Sequence, residues 1–222
     1  MANPAYVGSA ANTDGDYQNS TISYTPTAGN CLVVIATIVA SSTSDTATCS
    51  TTGTVQSLTQ LYYQSPGSNL RVGAAWYLFN VSGATGVKIS TSAFNRIDAI
   101  VIEFSNVSSI DVSPGTPAYA SYVTTVTTPT VTTTNASDML VAAFLSENAT
   151  MLSSASNSFT LTATQKYTGA AYLPVSSTGS YSTTLTAASQ DWLGAWLFAL
   201  SGSGGGGGGA TPHLLALMGC GN

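Results

Sequence analysis

The residues able to do chemistry are few in this chain. One histidine (His213), nine carboxylates and three cysteines supply nearly all of its bases, metal ligands and strong nucleophiles. The histidine lies beyond a run of glycines near the C-terminus. A Ser-His-Asp or Cys-His arrangement inside a folded body is therefore ruled out. One histidine and three scattered cysteines also lack the ligand spacing of a zinc site, so neither a metal nor a cofactor is expected. Carboxylate pairs remain. A glycosidase needs two carboxyls facing across a groove at roughly 5–9.5 Å. Asp98 and Glu103 are five positions apart on one strand-like run, which sends them to opposite faces. Asp138 and Glu147 stand at the two ends of another run, too far apart. Asp14-Gly15-Asp16 could supply oxygens to calcium, but as a turn it needs no metal. The expectation is a protein without catalytic activity.

The cysteines pose a separate question. Cys31 and Cys49 lie on neighbouring strand-like segments, where a disulfide would close a loop and stabilise by roughly 3 kcal/mol. Two buried free thiols fit the same spacing. Cys220 is the odd cysteine, placed in the C-terminal segment where it can pair with a second chain.

Only 6% of the residues are charged and 44% are apolar, with a formal net charge of -5. The polar remainder is mostly hydroxyl and amide, the surface of strand-rich extracellular and particle proteins. Four basic residues (Arg71, Lys88, Arg96 and Lys166) cannot build a phosphate-binding patch, which excludes nucleic acid as a partner. No apolar run reaches the length of a membrane span. The first twenty residues lack the basic and apolar regions of a secretory leader. Either a leader has been removed or the protein reaches its destination without classical secretion, as a virion component released by lysis does.

Runs of five to ten β-branched and aromatic residues, cut by Gly, Pro, Asn and Ser clusters, recur along the chain with almost no helical periodicity. Leu32–Val39 is continuously apolar, as a central strand must be. Ile100, Ile102 and Phe104 alternate with Val101 and Glu103, the pattern of a strand with one wetter face. The pattern predicts an all-β, antiparallel sandwich over residues 1–200. There is also an internal echo. Ala28-Gly29-Asn30-Cys31-Leu32-Val33-Val34 is similar to Ala136-Ser137-Asp138-Met139-Leu140-Val141-Ala142. The Ala75-Trp76-Tyr77-Leu78 run is similar to Ala195-Trp196-Leu197-Phe198. These echoes predict two similar halves of one sandwich, with Trp76 and Trp196 in its core.

The turn-then-strand Pro26–Val34, the Ala75–Leu78 run and Ile102-Glu103-Phe104-Ser105-Asn106-Val107 together carry a resemblance. Over roughly residues 15–200 the chain resembles a loosely defined group of Ser/Thr/Gly-rich, jelly-roll-like sandwich proteins of bacterial surfaces and phage particles. The resemblance implies a fold and no chemistry.

Two segments suggest contacts with partners. Residues 201–209 form a glycine-rich linker, and residues 210–222 an apolar peptide in which Leu214, Leu215, Leu217 and Met218 would be costly to leave in water. This layout predicts docking onto another copy of the chain or onto a capsid, tail or filament protein. Tyr62, Tyr63, Tyr119 and Tyr122 are candidates for a glycan platform. Tyr62 and Tyr63 are adjacent and must point to opposite faces of their strand. The expected function is a non-enzymatic structural protein at a virion surface or outside the cell, and the alternative is a carbohydrate-binding or adhesive module.

Overall fold

The computed structural model describes residues 2–12, 16–39, 42, 44–64, 71–93, 96–148 and 150–202. His213, Cys220 and the apolar peptide containing Leu214, Leu215, Leu217 and Met218 lie outside the described residues, as do Asp14 and Gly15. The chain is all-β, with antiparallel strands throughout. No helix among the described residues is long and apolar enough to cross a membrane.

The first half contributes β1 (Ala5–Ala11), β2 (Asp16–Tyr17), β3 (Asn19–Ser23), β4 (Cys31–Val39), β5 (Ala47–Gly53), β6 (Thr59–Tyr63), β7 (Arg71–Leu78), β8 (Ala84–Thr91) and β9 (Arg96–Ser105). One sheet has the order β1-β9-β4-β7-β6 and the other β3-β8-β5. From β3 to β5, and again from β7 to β9, successive strands alternate between the two sheets, which is the jelly-roll path. The second half repeats it with β10 (Val107–Val112), β11 (Ala118–Thr127), β12 (Val131–Thr132), β13 (Asp138–Ser146), β14 (Leu152–Ala155), β15 (Thr160–Thr164), β16 (Thr168–Val175), β17 (Ser180–Tyr181) and β18 (Thr184–Gly202). Its inner sheet runs β10-β18-β13-β16-β15. The start of β18 pairs with β11 and β14 in the outer layer, and its remainder crosses to the inner sheet.

The molecule is therefore two jelly rolls stacked through their inner sheets, with three apolar layers. Val34, Trp76, Val87, Ile89 and Val101 fill the first lobe, and Leu140, Phe144, Leu185 and Leu197 fill the second. Between the lobes lies a third core in which Val33, Ile35, Ile102 and Phe104 meet Val141, Ala143, Trp196 and Phe198. The inner sheets are covered on both faces, so the central strands must be apolar at consecutive positions. The nearly unbroken apolar runs of β4, β9 and β13 follow from this. The two halves do not share one sandwich, as the echo suggested; each closes its own, and the shared element is the layer between them. Of the two echoes, β4 and β13 are equivalent strands. The Ala-Trp runs are not, because β7 and β18 flank those strands on opposite sides. Trp76 accordingly points into the first lobe and Trp196 into the layer between lobes.

Specific contacts lock the lobes together. Tyr6 stacks on Tyr172 at 4.5 Å and 10°. The Thr37 hydroxyl donates to the Tyr167 carbonyl at 2.7 Å, and the Ala163 amide to the Ser9 hydroxyl at 2.8 Å. Gly73 permits the close approach of β7, since a Cβ there would lie 2.7 Å from Leu145 Cδ2 and 2.9 Å from the Trp196 ring.

Because this central layer is continuous with both inner sheets, the lobes should unfold together. Trp196→Ala is expected to cost about 3–5 kcal/mol and to keep a single transition in urea. Trp196→Phe, which also removes an indole N–H that has no acceptor, should cost less. Two separate transitions in the wild-type protein would show that the lobes are independent.

Candidate functional site

Three of the acids are taken up by structural contacts. Glu103 is buried at the end of β9, where it accepts from the Tyr24 hydroxyl at 2.7 Å, the Thr27 amide at 2.9 Å and the Asn30 side-chain amide at 2.5 Å. Asp98 lies on the other face of the same strand, paired with Arg96 Nε at 2.9 Å, while the Arg96 guanidinium sits 4.3 Å from the Tyr167 ring centre. The opposite-face expectation for these two acids holds. Asp191 is buried and accepts from the Asn148 amide at 2.8 Å, its side chain at 2.7 Å and the Trp192 amide at 2.6 Å. No three His, Cys, Asp or Glu side chains among the described residues are grouped to hold a metal.

The cysteine question has a definite answer. Cys31 and Cys49 are both free and buried. Cys31 points from β4 into the layer between lobes, whereas Cys49 points from β5 into the first lobe's interior. A sheet separates them, so the Cys31–Cys49 bridge is ruled out.

The surface chemistry gathers where the lobes meet, along β6, β11 and β18. Tyr62 on β6 packs against Trp196, ring centres 5.2 Å apart. Its phenol meets that of Tyr119 on β11, and the Tyr119 hydroxyl also donates to the Gln64 side-chain carbonyl. Burial, with the neighbouring Tyr62 phenol, pushes the Tyr119 hydroxyl well above its ordinary value. Tyr119 pairs across from Gly194, where a Cβ would stand 2.9 Å from its Cε1. Only glycine lets the ring lie across β18.

Two residues back along β18, Trp192 is 43% exposed, and Tyr122 meets it edge-on at 6.3 Å and 72°. Tyr122 is 71% exposed and Tyr119 52%. The pairing of β11 with β18 slips between Ala120 and Val123, and Tyr122 within that slip has φ of 54°. A tyrosine in the left-handed region is strained, and bulges of this kind re-aim side chains. Here the strain turns Tyr122 outward beside Trp192. The Asp191 carboxylate holds the Trp192 amide and Asn148 together beneath that ring.

Three of the four candidate tyrosines thus lie along one ledge of β11 and its neighbours, Tyr119 paired with Tyr62 and Tyr122 with Trp192. Tyr63 does not: it points the other way along β6, packs on the first lobe's core and donates to the Asp45 carbonyl at 2.7 Å. Trp192 and Gln64 complete the ledge in place of Tyr63. Trp192 stands inside β18 just before its buried run Leu193–Leu200, and Gln64 had no signal in the sequence because it owes its place to the Tyr119 contact.

No family model, curated protein or solved structure gives a significant match to the chain.

Burial pushes both the Cys31 and Cys49 thiols far up, so neither should react while the protein is folded. In a Cys220→Ser variant, a thiol reagent at pH 8 is expected to label neither cysteine natively and both after denaturation. Fast native labelling of either one would contradict the packing of the two cores.

Proposed function

We propose that this chain is a non-enzymatic subunit displayed on the outside of a particle or filament, and that its body binds carbohydrate along the Tyr62–Tyr119–Trp192–Tyr122 ledge. A phage decoration, fibre or collar protein or an extracellular filament subunit fits this description. The observation that carries the reading is the two ring pairs on neighbouring parts of β11, Tyr119 with Tyr62 and Tyr122 with Trp192, with a strained tyrosine held outward in water. Aromatic rings left exposed and contiguous mark recognition surfaces. Gln64 and Asn148 border the rings with amides, and carbohydrate offers the matching chemistry: an apolar C–H face to stack on a ring and a rim of hydroxyls for the amides. The hydroxyl- and amide-rich, weakly charged composition supports display outside the cell or on a virion. The apolar peptide at residues 210–222 supplies the attachment, on the strength of its sequence.

Glycan-array binding by the full-length protein tests the ledge. Trp192→Ala and Tyr122→Ala are each expected to weaken binding by about tenfold, the loss of roughly 1.4 kcal/mol of ring contact. Deleting residues 203–222 should leave glycan binding intact and abolish assembly or particle attachment. Absence of glycan binding, or binding by both ring variants as tight as that of the unaltered protein, would remove the carbohydrate reading. Normal assembly of the truncated chain would remove the attachment reading.

A further inference from the structure

Asp138 opens β13 with none of its surface exposed and with no N–H or hydroxyl donor for either oxygen. The group it meets is another carboxyl, Asp111 on β10. Asp111 is already supplied with donors. It accepts from the Thr134 amide at 2.7 Å, the Thr134 hydroxyl, and the Asn135 side-chain amide at 2.6 Å. Asp111 is half-buried and Asp138 is fully buried, and two ionised carboxylates in contact with one of them out of water repel strongly; one must hold a proton or both must hold a cation.

The repeat within the molecule distinguishes these cases. Asp138 precedes Met139-Leu140 as Asn30 precedes Cys31-Leu32, and β4 and β13 are the equivalent strands of the two lobes. In the first lobe Asn30 donates its side-chain N–H to Glu103, which also takes the amide of Thr27 in the turn before the strand. In the second lobe Asp111 takes the amide of Thr134 in the corresponding turn. The carboxylate comes from a different strand: Leu32 faces Glu103 on β9, whereas Leu140 faces Ala199 on β18, and β10 supplies Asp111 instead. The arrangement is otherwise the same, with a donor at the strand's start bonded to a carboxylate that staples the turn. A protonated aspartic acid has the shape of asparagine and donates like it. The hydrogens aimed at Asp111 also favour an anion there over a metal ligand.

The fastening reaches further than the turn. The sequence predicts a linker over residues 201–209, but the structure makes Gly202 the last residue of β18. Gly202 donates its amide to the Ser137 carbonyl at 3.0 Å, and the Ser137 hydroxyl donates to Asn3 at 2.8 Å. We propose that Asp138 and Asp111 share one proton and form a pH-sensitive latch on the 133–137 turn, closed in mild acid and opened as Asp138 ionises, so that the root of the C-terminal segment is held at low pH and loosened above neutrality. The first lobe's Asn30–Glu103 pair is the same latch with a donor that does not titrate.

The direction follows from linkage. Burial first, then the bond to Asp111 and its charge, push the Asp138 carboxyl up to about 7. Burial would raise Asp111 as well, but the Thr134, Asp138 and Asn135 donors hold it below its ordinary value. Asp138 pairs with Val175 on β16 and Ser201 on β18, and Asn3 approaches from the N-terminal segment; none of these is charged. A group raised in the closed state gives stability that is complete below its free value, near 4, and is lost as pH climbs to about 7. Above that the loss levels off.

The test is hydrogen exchange at the Gly202 amide in the full-length chain and in its D138N and N30D variants, corrected for the intrinsic pH dependence of exchange. In the wild type, exchange should accelerate by up to about tenfold per pH unit between about pH 4 and pH 7 and then plateau. D138N, which replaces the proton donor by an amide, should abolish that dependence. N30D should create a second one, read at the Thr27 amide. A D138N profile as steep as the wild type overturns the latch. So does restoration of wild-type protection at pH 8 by calcium chloride, which would assign the pair to a cation. Should D138N not fold, the carboxyl carbon of Asp138 followed by NMR in the wild type decides: a midpoint near 7 supports the shared proton and one near 4 refutes it.

Discussion

A β-sheet covered on both faces has no place for a charge along its middle, and this molecule stacks two such sheets against each other. Most of what distinguishes the chain follows from that. The inner strands β4, β9 and β13 are apolar at nearly every position, and charge is expelled to their ends and to the loops. Asp98 and Arg96 sit at one end of β9 and Glu103 at the other, Asp138 begins β13, and Asp191 lies where β18 passes from outer to inner sheet. An acid placed so is half committed to the interior. It needs amides or hydroxyls within reach of its oxygens, and each of these acids, Asp138 apart, has such donors or a guanidinium. The absence of charge along the middle of these inner strands is thus a geometric consequence of the stacking.

The same geometry decides what could be read from the sequence. The continuous apolar run of Leu32–Val39 announces a strand with no wet face, and the β-branched runs between turn residues announce an antiparallel sandwich; both readings hold. The repeat was visible in the turn and strand around Asn30 and Asp138. Its architecture was not, since the same apolar run serves a sheet within one sandwich or a sheet shared between two stacked ones. The second echo misled because Ala-Trp-aromatic runs are what any strand flanking a doubly covered one will carry. It matched β7 to β18, which flank β4 and β13 on opposite sides. Cys31 and Cys49 are close along the chain, yet strand alternation puts a whole sheet between them. Tyr62 and Tyr63 were separable by alternation alone, but the partner that makes Tyr62 useful comes from β11, across the junction of the lobes. No local pattern encodes that meeting, nor the left-handed backbone at Tyr122.

The ledge and the Asp138–Asp111 pair illustrate two ways in which a tightly filled structure tolerates a locally unfavourable feature. At Tyr122 the backbone is strained and a large ring faces water, with the slipped pairing of β11 and the glycine at 194 accommodating the rings around it. At Asp138 the strand and turn are regular and the conflict is electrostatic. Both lie in the second lobe. The first lobe carries an asparagine at the position of Asp138 and resolves the same contact without conflict, so the two copies of one fold have diverged in burden as well as in sequence.

β18 runs unbroken for 19 residues through both layers of the second lobe, where the first lobe uses the separate strands β8 and β9. Its position at the end of the described chain matters during synthesis. The first lobe has all of its strands once Ser105 has emerged, but the face bearing Val33, Ile35, Ile102 and Phe104 is not fully covered until the second lobe's inner strands are complete, Trp196 and Phe198 among the last. At about 5–20 residues per second the ribosome needs roughly 5–20 s to deliver them. For that interval every nascent chain shows neighbouring nascent chains a finished sheet with an incompletely covered apolar face. The most dangerous moment for this protein is therefore the half-made molecule, and crowding of ribosomes on one message should limit its yield before the stability of the finished fold does.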